Sequence, residues 1–274
     1  MKTPRYTPYF IQAASLLIVM LVLAACQKVE TAASDPNVAV IEAYVTPGSD
    51  ILLHVTRQLA FQDDDTTISP IEGLQIQVSD GDTTVVCTVD SAGYYHAPLK
   101  ADQQKTYSLA FVYNYQQVTA STYIPSKPTN YVASATSIVV SEPGSGGSGG
   151  EPPQMPDPIA LSWDNADTSY YMVVIENVET DPVLIYDTSD NRPVRVFRNE
   201  PERSNSHELM PMSFSYYGTH RVVLFHLNPE YAQLYESNGS TSLNLAEPPT
   251  NVVNGLGVFT GINSDTLWIE VKEE

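Results

Sequence analysis

The segment Val38 to Leu59, VAVIEAYVTPGSDILLHVTRQL, alternates apolar and polar side chains on both sides of Pro47-Gly48-Ser49-Asp50. A period of two places every second side chain on one face of an extended chain, so the segment reads as two half-buried strands joined by a tight turn. The pattern recurs further along the chain. Leu74 to Val78, Val85 to Val89 and Tyr107 to Tyr113 read as strands, with an extension through Ala120 to Ile124. Asp80-Gly81-Asp82 is a hairpin signal, and Ser91-Ala92-Gly93 marks a turn ahead of Tyr94 and Tyr95. No helical period is sustained here, so residues 38–126 are expected to form a small β-sandwich.

Ile124-Pro125-Ser126-Lys127-Pro128 then interrupts the pattern twice. Proline cannot donate to a sheet ladder, and this is read as the boundary of a second domain, 127–274. The Gly/Ser-rich run within Glu142 to Pro158 would ordinarily be a linker. Ala133 to Val140 before it and Ile159 to Trp163 after it read instead as the first two strands of one sandwich, so 142–158 is expected as a flexible inserted loop. Trp163 is placed to plug the core. Tyr170 to Glu176, Val183 to Tyr186, Val194 to Phe197, Phe214 to Tyr217 and Arg221 to Leu227 continue the strand pattern, followed by Asn251 to Phe259 and Thr266 to Val271. One short helix is inserted. Asn228 is its N-cap, Pro229 occupies the first helical position, Glu230 suits the positive end of the dipole, Tyr231, Leu234 and Tyr235 share a face, and Asn238-Gly239 ends it. The fold class is therefore all-β, with two β-sandwich domains.

The N-terminus carries Lys2 and Arg5, no acid before Glu30, and an unbroken apolar run of ten residues from Leu16 to Ala25. A bilayer-spanning helix needs about 20 such residues, so 1–25 reads as a signal peptide. Leu23-Ala24-Ala25-Cys26 has the form of a lipobox, which makes Cys26 the lipid-attachment residue and 26–37 a polar, lipidated tether. Two or three acyl chains, palmitate-like in length, anchor stably, because each buried methylene contributes about 0.8 kcal/mol. With Cys26 lipidated, Cys87 has no disulfide partner and reads as a small buried hydrophobe. Removing 1–25 takes the formal charge from −19 to −21, which disfavours nucleic acid as a partner.

No chemistry is singled out. His54, His96, His207, His220 and His226 lack a metal-ligand spacing. His220 and His226 would face one side of a strand, yet roughly 20 Å apart at about 3.3 Å per residue. Asp63-Asp64-Asp65 lacks the alternating ligands and central glycine of a calcium loop, and Asp80-Gly81-Asp82 reads as a turn. Gly255-Leu256-Gly257-Val258-Phe259-Thr260-Gly261 misses the dinucleotide spacing, and no Gly-x-Ser-x-Gly elbow is present. No catalytic, metal or cofactor-binding residue is assigned, and the protein is read as non-enzymatic. Tyrosine is abundant, 17 against 7 Phe, with Tyr113 and Tyr115 expected on one strand face and Tyr94-Tyr95 and Tyr216-Tyr217 near turns. Exposed tyrosines offer sugar-stacking or protein-binding surfaces.

Together with the lipobox, the stretches Val40 to Gly48, Gly93-Tyr94-Tyr95 and Asn251 to Gly261 carry a resemblance. Over nearly the whole mature chain the sequence resembles the Bacteroidota lipoproteins called domain of unknown function 4249, with the Gly/Ser insertion as a departure. The resemblance implies an outer-membrane lipoprotein whose first domain is transthyretin-like or Ig-like and whose second is fibronectin type III-like. Such proteins are often encoded beside TonB-dependent receptors, and no catalytic residues come with them. In that phylum Asp-Ser/Thr-x sites are glycosylated, and Asp65-Thr66-Thr67, Asp82-Thr83-Thr84, Asp90-Ser91-Ala92 and Asp265-Thr266-Leu267 match. The expected function is that of a lipid-anchored accessory or binding protein of the outer membrane, partnering a TonB-dependent transporter. The alternative is a glycan-binding or adhesion module that uses exposed tyrosines. Ligand, oligomeric state and membrane face are left open by the sequence.

Overall fold

The computed structural model describes residues 37–58, 69–140, 156–185, 193–238 and 249–274. The signal peptide, Cys26, the tether up to Pro36, Asp63-Asp64-Asp65 and most of the 142–158 loop lie outside these residues.

Strands are numbered in chain order. The largest sheet has ten strands and runs β14 (Val196–Arg198), β13 (Tyr170–Asn177), β16 (Gly218–Leu227), β18 (Leu256–Glu273), β1 (Ala39–Val45), β2 (Asp50–Arg57), β7 (Tyr94–Lys100), β6 (Thr88–Ser91). To it are added β11 (Ser137–Val140) beside β18 and β3 (Ser69–Pro70) beside β2. A five-stranded sheet, β17 (Val252–Val253), β9 (Gln116–Tyr123), β8 (Thr106–Tyr113), β4 (Gln77–Ser79), β5 (Thr84–Val86), packs on one half of it. A three-stranded sheet, β10 (Val132–Ala133), β12 (Ile159–Ser162), β15 (Ser206–Leu209), packs on the other half. The all-β expectation holds, as two sandwiches that share one sheet.

The sharing is the work of β18, whose 18 residues span about 60 Å at about 3.3 Å per residue. Leu256 to Gly261 pair in parallel with Val40 to Val45, and Ile262 to Val271 then pair antiparallel with Leu227 to Gly218. Its end, Glu270 to Glu273, pairs in parallel with β11. The same alternation therefore feeds both cores: Phe259 lies with Ile41, Leu53, Tyr95 and Leu109, whereas Ile269 and Val271 lie with Leu161, Trp163, Val173 and Leu224. The division expected at 126/127 is thus crossed by the last strand. Val252 and Phe259, read as part of the second sandwich, fill the first core, and β17 pairs with Ala120 and Thr119 of β9. Alternation identifies which side chains turn inward but not which sheet receives them.

Several local differences have equally plain causes. Tyr94 to Lys100 is a full strand, not a turn margin; His96 and Pro98 hide its alternation, while Tyr95, fully buried, donates its hydroxyl to the Ile71 carbonyl at 2.8 Å. The run Val85 to Val89 divides at Cys87, where the chain leaves the five-stranded sheet for the ten-stranded one and the Cys87 N–H bonds the Ile76 carbonyl at 2.8 Å. Cys87 is buried, and burial pushes its thiol up to about 11. Asp80-Gly81-Asp82 is the β4–β5 hairpin turn, its Asp80 carboxylate accepting the Thr83 N–H at 2.8 Å. Phe214 to Tyr217 is not a strand: Phe214 follows a 3-10 turn at Pro211–Ser213, and only Tyr216 forms an isolated bridge, to Leu184. Polar Ser206–Leu209 is a strand instead. Tyr113 and Tyr115 do not share a face. Asn114 and Tyr115, at φ 47° and 62°, form the tight turn between β8 and β9, so Tyr115 stands fully exposed while the Tyr113 hydroxyl donates to Asn37 at 2.6 Å.

Candidate functional site

Between the five-stranded and three-stranded sheets, where β18 passes from one core to the other, the buried side chains are polar. The helix α1 (Pro229–Asn238) begins there, as expected from its sequence. Its first turn forms on the Asn228 carbonyl, which accepts from Tyr231 at 3.1 Å and Ala232 at 3.3 Å. The Asn228 side chain has another task. Its amide donates to the Tyr123 carbonyl at 2.6 Å, the Gly261 carbonyl at 3.1 Å and the Thr122 hydroxyl at 3.1 Å. Thr122 donates to Glu230 at 2.9 Å and accepts the Gly261 N–H at 2.8 Å, and Thr260 donates to the same Glu230 oxygen at 3.3 Å. Asn263 donates to the Pro125 carbonyl at 2.9 Å. β9, α1 and β18 are thereby joined at one point, and buried polar groups satisfied in this way hold a unique geometry.

The glycine motif serves the same junction. Gly257 has φ +92°, and a Cβ there would fall on the Ile41 carbonyl oxygen; a Cβ at Gly261 would overlap the Tyr123 carbonyl. Asn251 clamps the strand from outside, accepting the Phe259 N–H at 3.0 Å and donating to the Phe259 carbonyl at 2.7 Å. The glycines therefore allow close backbone approach, and no phosphate cradle is formed.

Beside the junction lies a cleft of about 470 Å³. One wall is the β12–β13 turn, Asp167 to Ser169, and Arg203; the other includes Gln104, Tyr123 and Ser126; His226 and Asn228 line it between them. Thr168 sits at φ 55°, a conformation rare for a β-branched residue and typical of strain kept at functional positions. The Ser169 side chain and N–H hold the Asp167 carboxyl below its usual range. The Arg203 guanidinium lies 4.2 Å from the Tyr170 ring centroid, and among the described residues it has no carboxylate partner. His226 stacks on Tyr171 with ring centroids 4.7 Å apart and donates from Nδ1 to the Ser126 carbonyl at 2.9 Å. Burial holds this imidazole below the ordinary histidine range, so Nε2 stays an unprotonated acceptor. The cleft thus offers a cation, a carboxylate and a neutral acceptor to a small polar ligand.

The other sequence-selected residues are dispersed. His220 faces the same side of β16 as His226 but donates from Nδ1 to Gly218 at 3.0 Å and meets Asn177 at 3.3 Å, wedged against Phe214. His54 stacks on Tyr94 at 4.2 Å, His96 bonds Asp50 at 3.0 Å, and His207 bonds Glu202 at 3.1 Å. Among the described residues no three His, Cys, Asp or Glu side chains gather to hold a metal ion. Arg203, Asp167 and Thr168 were not legible as site residues, because turns far apart in sequence bring them together. The one available signal was a rare cation in an acidic chain.

Comparison with known proteins places the chain in a family without adding a function. The fibronectin(III)-like modules of Clostridium thermocellum CbhA align at 12% identity and TM-score 0.27, covering 86% of this chain and 94% of that one. A run of titin domains aligns at 10% identity and TM-score 0.21, covering 86% and 67%. Likenesses of that size carry no inference about ligands. No curated protein matches in sequence. The family model described as domain of unknown function (DUF4249) matches residues 27–267, and the chain belongs to that family.

Proposed function

We propose that this protein is exported, lipidated on Cys26 and held at the outer membrane as a non-catalytic accessory or binding protein, with a TonB-dependent transporter as its partner. The observation that carries this reading is the order of signals at the N-terminus: a basic start, an apolar run too short to span, and Leu23-Ala24-Ala25-Cys26. The body behind the anchor supports it. Two sandwiches fused through one strand form a rigid scaffold, and the cleft beside their junction is the place for a small ligand. Most histidines and Cys87 are engaged in packing or structural hydrogen bonds.

Metabolic labelling with an alkynyl fatty acid should mark the wild-type chain and not Cys26→Ala, and the variant should leave the membrane fraction. Crosslinking in cells followed by purification in mild detergent should recover an outer-membrane receptor; recovery of the protein alone under several conditions would refute the partnership. The second reading, a glycan-binding or adhesion module built on exposed tyrosines, has less support. Tyr94 stands against His54, Tyr115 at a hairpin tip and Tyr44 against Tyr231, so among the described residues these rings form no continuous strip.

A further inference from the structure

The five-stranded sheet turns a face to solvent that carries no charge. In its register Val253, Thr119, Ala110, Gln77 and Val86 lie side by side across all five strands. Ser121, Ser108, Ser79 and Thr84 form the next row, and Gln117 pairs with Val112 on the other side. The alternate residues, among them Val78, Leu109 and Val118, point into the core. The chain is 16% Lys, Arg, Asp and Glu, so about two charges are expected among a dozen outward positions. This chain has 13 bases and 32 acids, and none falls here. The outward face of the ten-stranded sheet is different, carrying Glu42, Glu176, Arg198 and Arg221.

The uncharged face is also chemically furnished. Gln75, Gln77 and Gln117 line a shallow depression of about 360 Å³ together with Ala110, Phe111 and Val112. Among the described residues these three side-chain amides make no hydrogen bond, so each offers two donors and an acceptor. At the opposite end of β9, Tyr123 presents a ring that is 45% exposed.

We propose that this face binds a neutral oligosaccharide, laid along β8 and β9 from the glutamine depression toward Tyr123. Sugar hydroxyls both donate and accept, as do primary amides and Ser/Thr hydroxyls, and their pairing desolvates no charge. The C–H face of a sugar ring packs on Ala110, Val112 and the Tyr123 ring. Charge selects the class: a chain of formal charge −19 repels polyanions, and this uncharged sheet face admits a neutral polymer. A second copy of the chain fits less well. Even if all five strands, about 4.8 Å apart, ran the about 26 Å of β8 and β9, they would enclose roughly 500 Å², below the about 800 Å² per partner of a stable interface, and β4, β5 and β17 are only two or three residues long. This site meets the cleft only at Tyr123, which borders both, and does not rest on the anchor or on the transporter partnership.

The test is an array of neutral and anionic oligosaccharides probed with the full chain in mild detergent. Neutral glycans should bind. Gln77→Glu and Thr119→Glu, which place a charge mid-face, should each weaken binding about tenfold or more. Both should leave the melting temperature within about 2 °C, as surface substitutions do, and Gln77→Asn should retain binding. If one variant fails to fold, the other still decides. Binding confined to anionic glycans, no binding to any neutral glycan, or binding that both variants leave intact would each overturn the proposal. So would a concentration-dependent dimer that Gln77→Glu abolishes, which would give the face to a second copy.

Discussion

Two neighbouring regions near the point where β18 changes cores do opposite things. At the junction, Thr122, Asn228, Glu230 and Thr260 are knit into one hydrogen-bond network, and Asn263 binds the Pro125 carbonyl beside it. In the adjoining cleft, Arg203 has no carboxylate partner among the described residues and Thr168 is held in a strained conformation. The lesson is that the residues most distinctive in the sequence, the Asn251 to Gly261 motif, serve assembly. Those best placed for a ligand carry no sequence signature.

The strongest way to break this comparison is at Gly257. Gly257→Val puts a side chain on the Ile41 backbone in a conformation valine avoids, and should destabilise by about 4 kcal/mol or more, measured by urea unfolding. Phe259→Ala should cost about 3–5 kcal/mol. Because β18 belongs to both cores, each variant should lower one common transition, seen alike by probes in either sandwich. Two separate transitions would show that the junction is not a weld.

Smaller effects sharpen the contrast. Asn228→Ala removes the donor shared by Tyr123 and Gly261 and should cost about 1–3 kcal/mol. Arg203→Ala, in the cleft, should change stability by no more than about 0.5 kcal/mol. A larger loss would make the cleft structural too. Acid should act through the buried histidines. Burial holds His220 and His226 below their ordinary value of 6.5, so the unfolded chain takes up protons first as pH falls. Stability is therefore full above about pH 6.5 and declines below it, toward the depressed native values. Urea midpoints at pH 7.5 and 5.5 should show the loss, and His220→Gln with His226→Gln should reduce it. Cys87, buried with its thiol pushed up to about 11, should resist alkylation at pH 8 until the chain is unfolded.

Much of this architecture was legible in advance where a local rule governs. The hairpin at Asp80-Gly81-Asp82 follows from turn chemistry, and the helix at Pro229 from its proline and its apolar face. Trp163 and Cys87 are buried as their apolar surroundings suggest. The strand Tyr94–Lys100 was hidden by His96 and Pro98, and the polar strand Ser206–Leu209 by having only Leu209 turned inward. Of the candidate site, no residue was assigned in advance. His226 was noted only for the side of its strand, because a cleft lined by separate loops leaves no periodic trace.

Taken alone, the sequence determined the period of two, hence an all-β body, and the N-terminal signals, hence the expectation of an anchor at Cys26. Both are local: they depend on neighbours one to a few residues away. Only the tertiary structure decided that Phe259 and Ile269, ten residues apart on one strand, fill different cores, and that Asp167, Arg203 and His226 line one cleft. Strand pairing is made between segments far apart in the chain, and alternation leaves the partner unspecified. The uncharged face has the same origin, since its rows of Val, Thr, Ala, Gln and Ser exist only once five strands are in register.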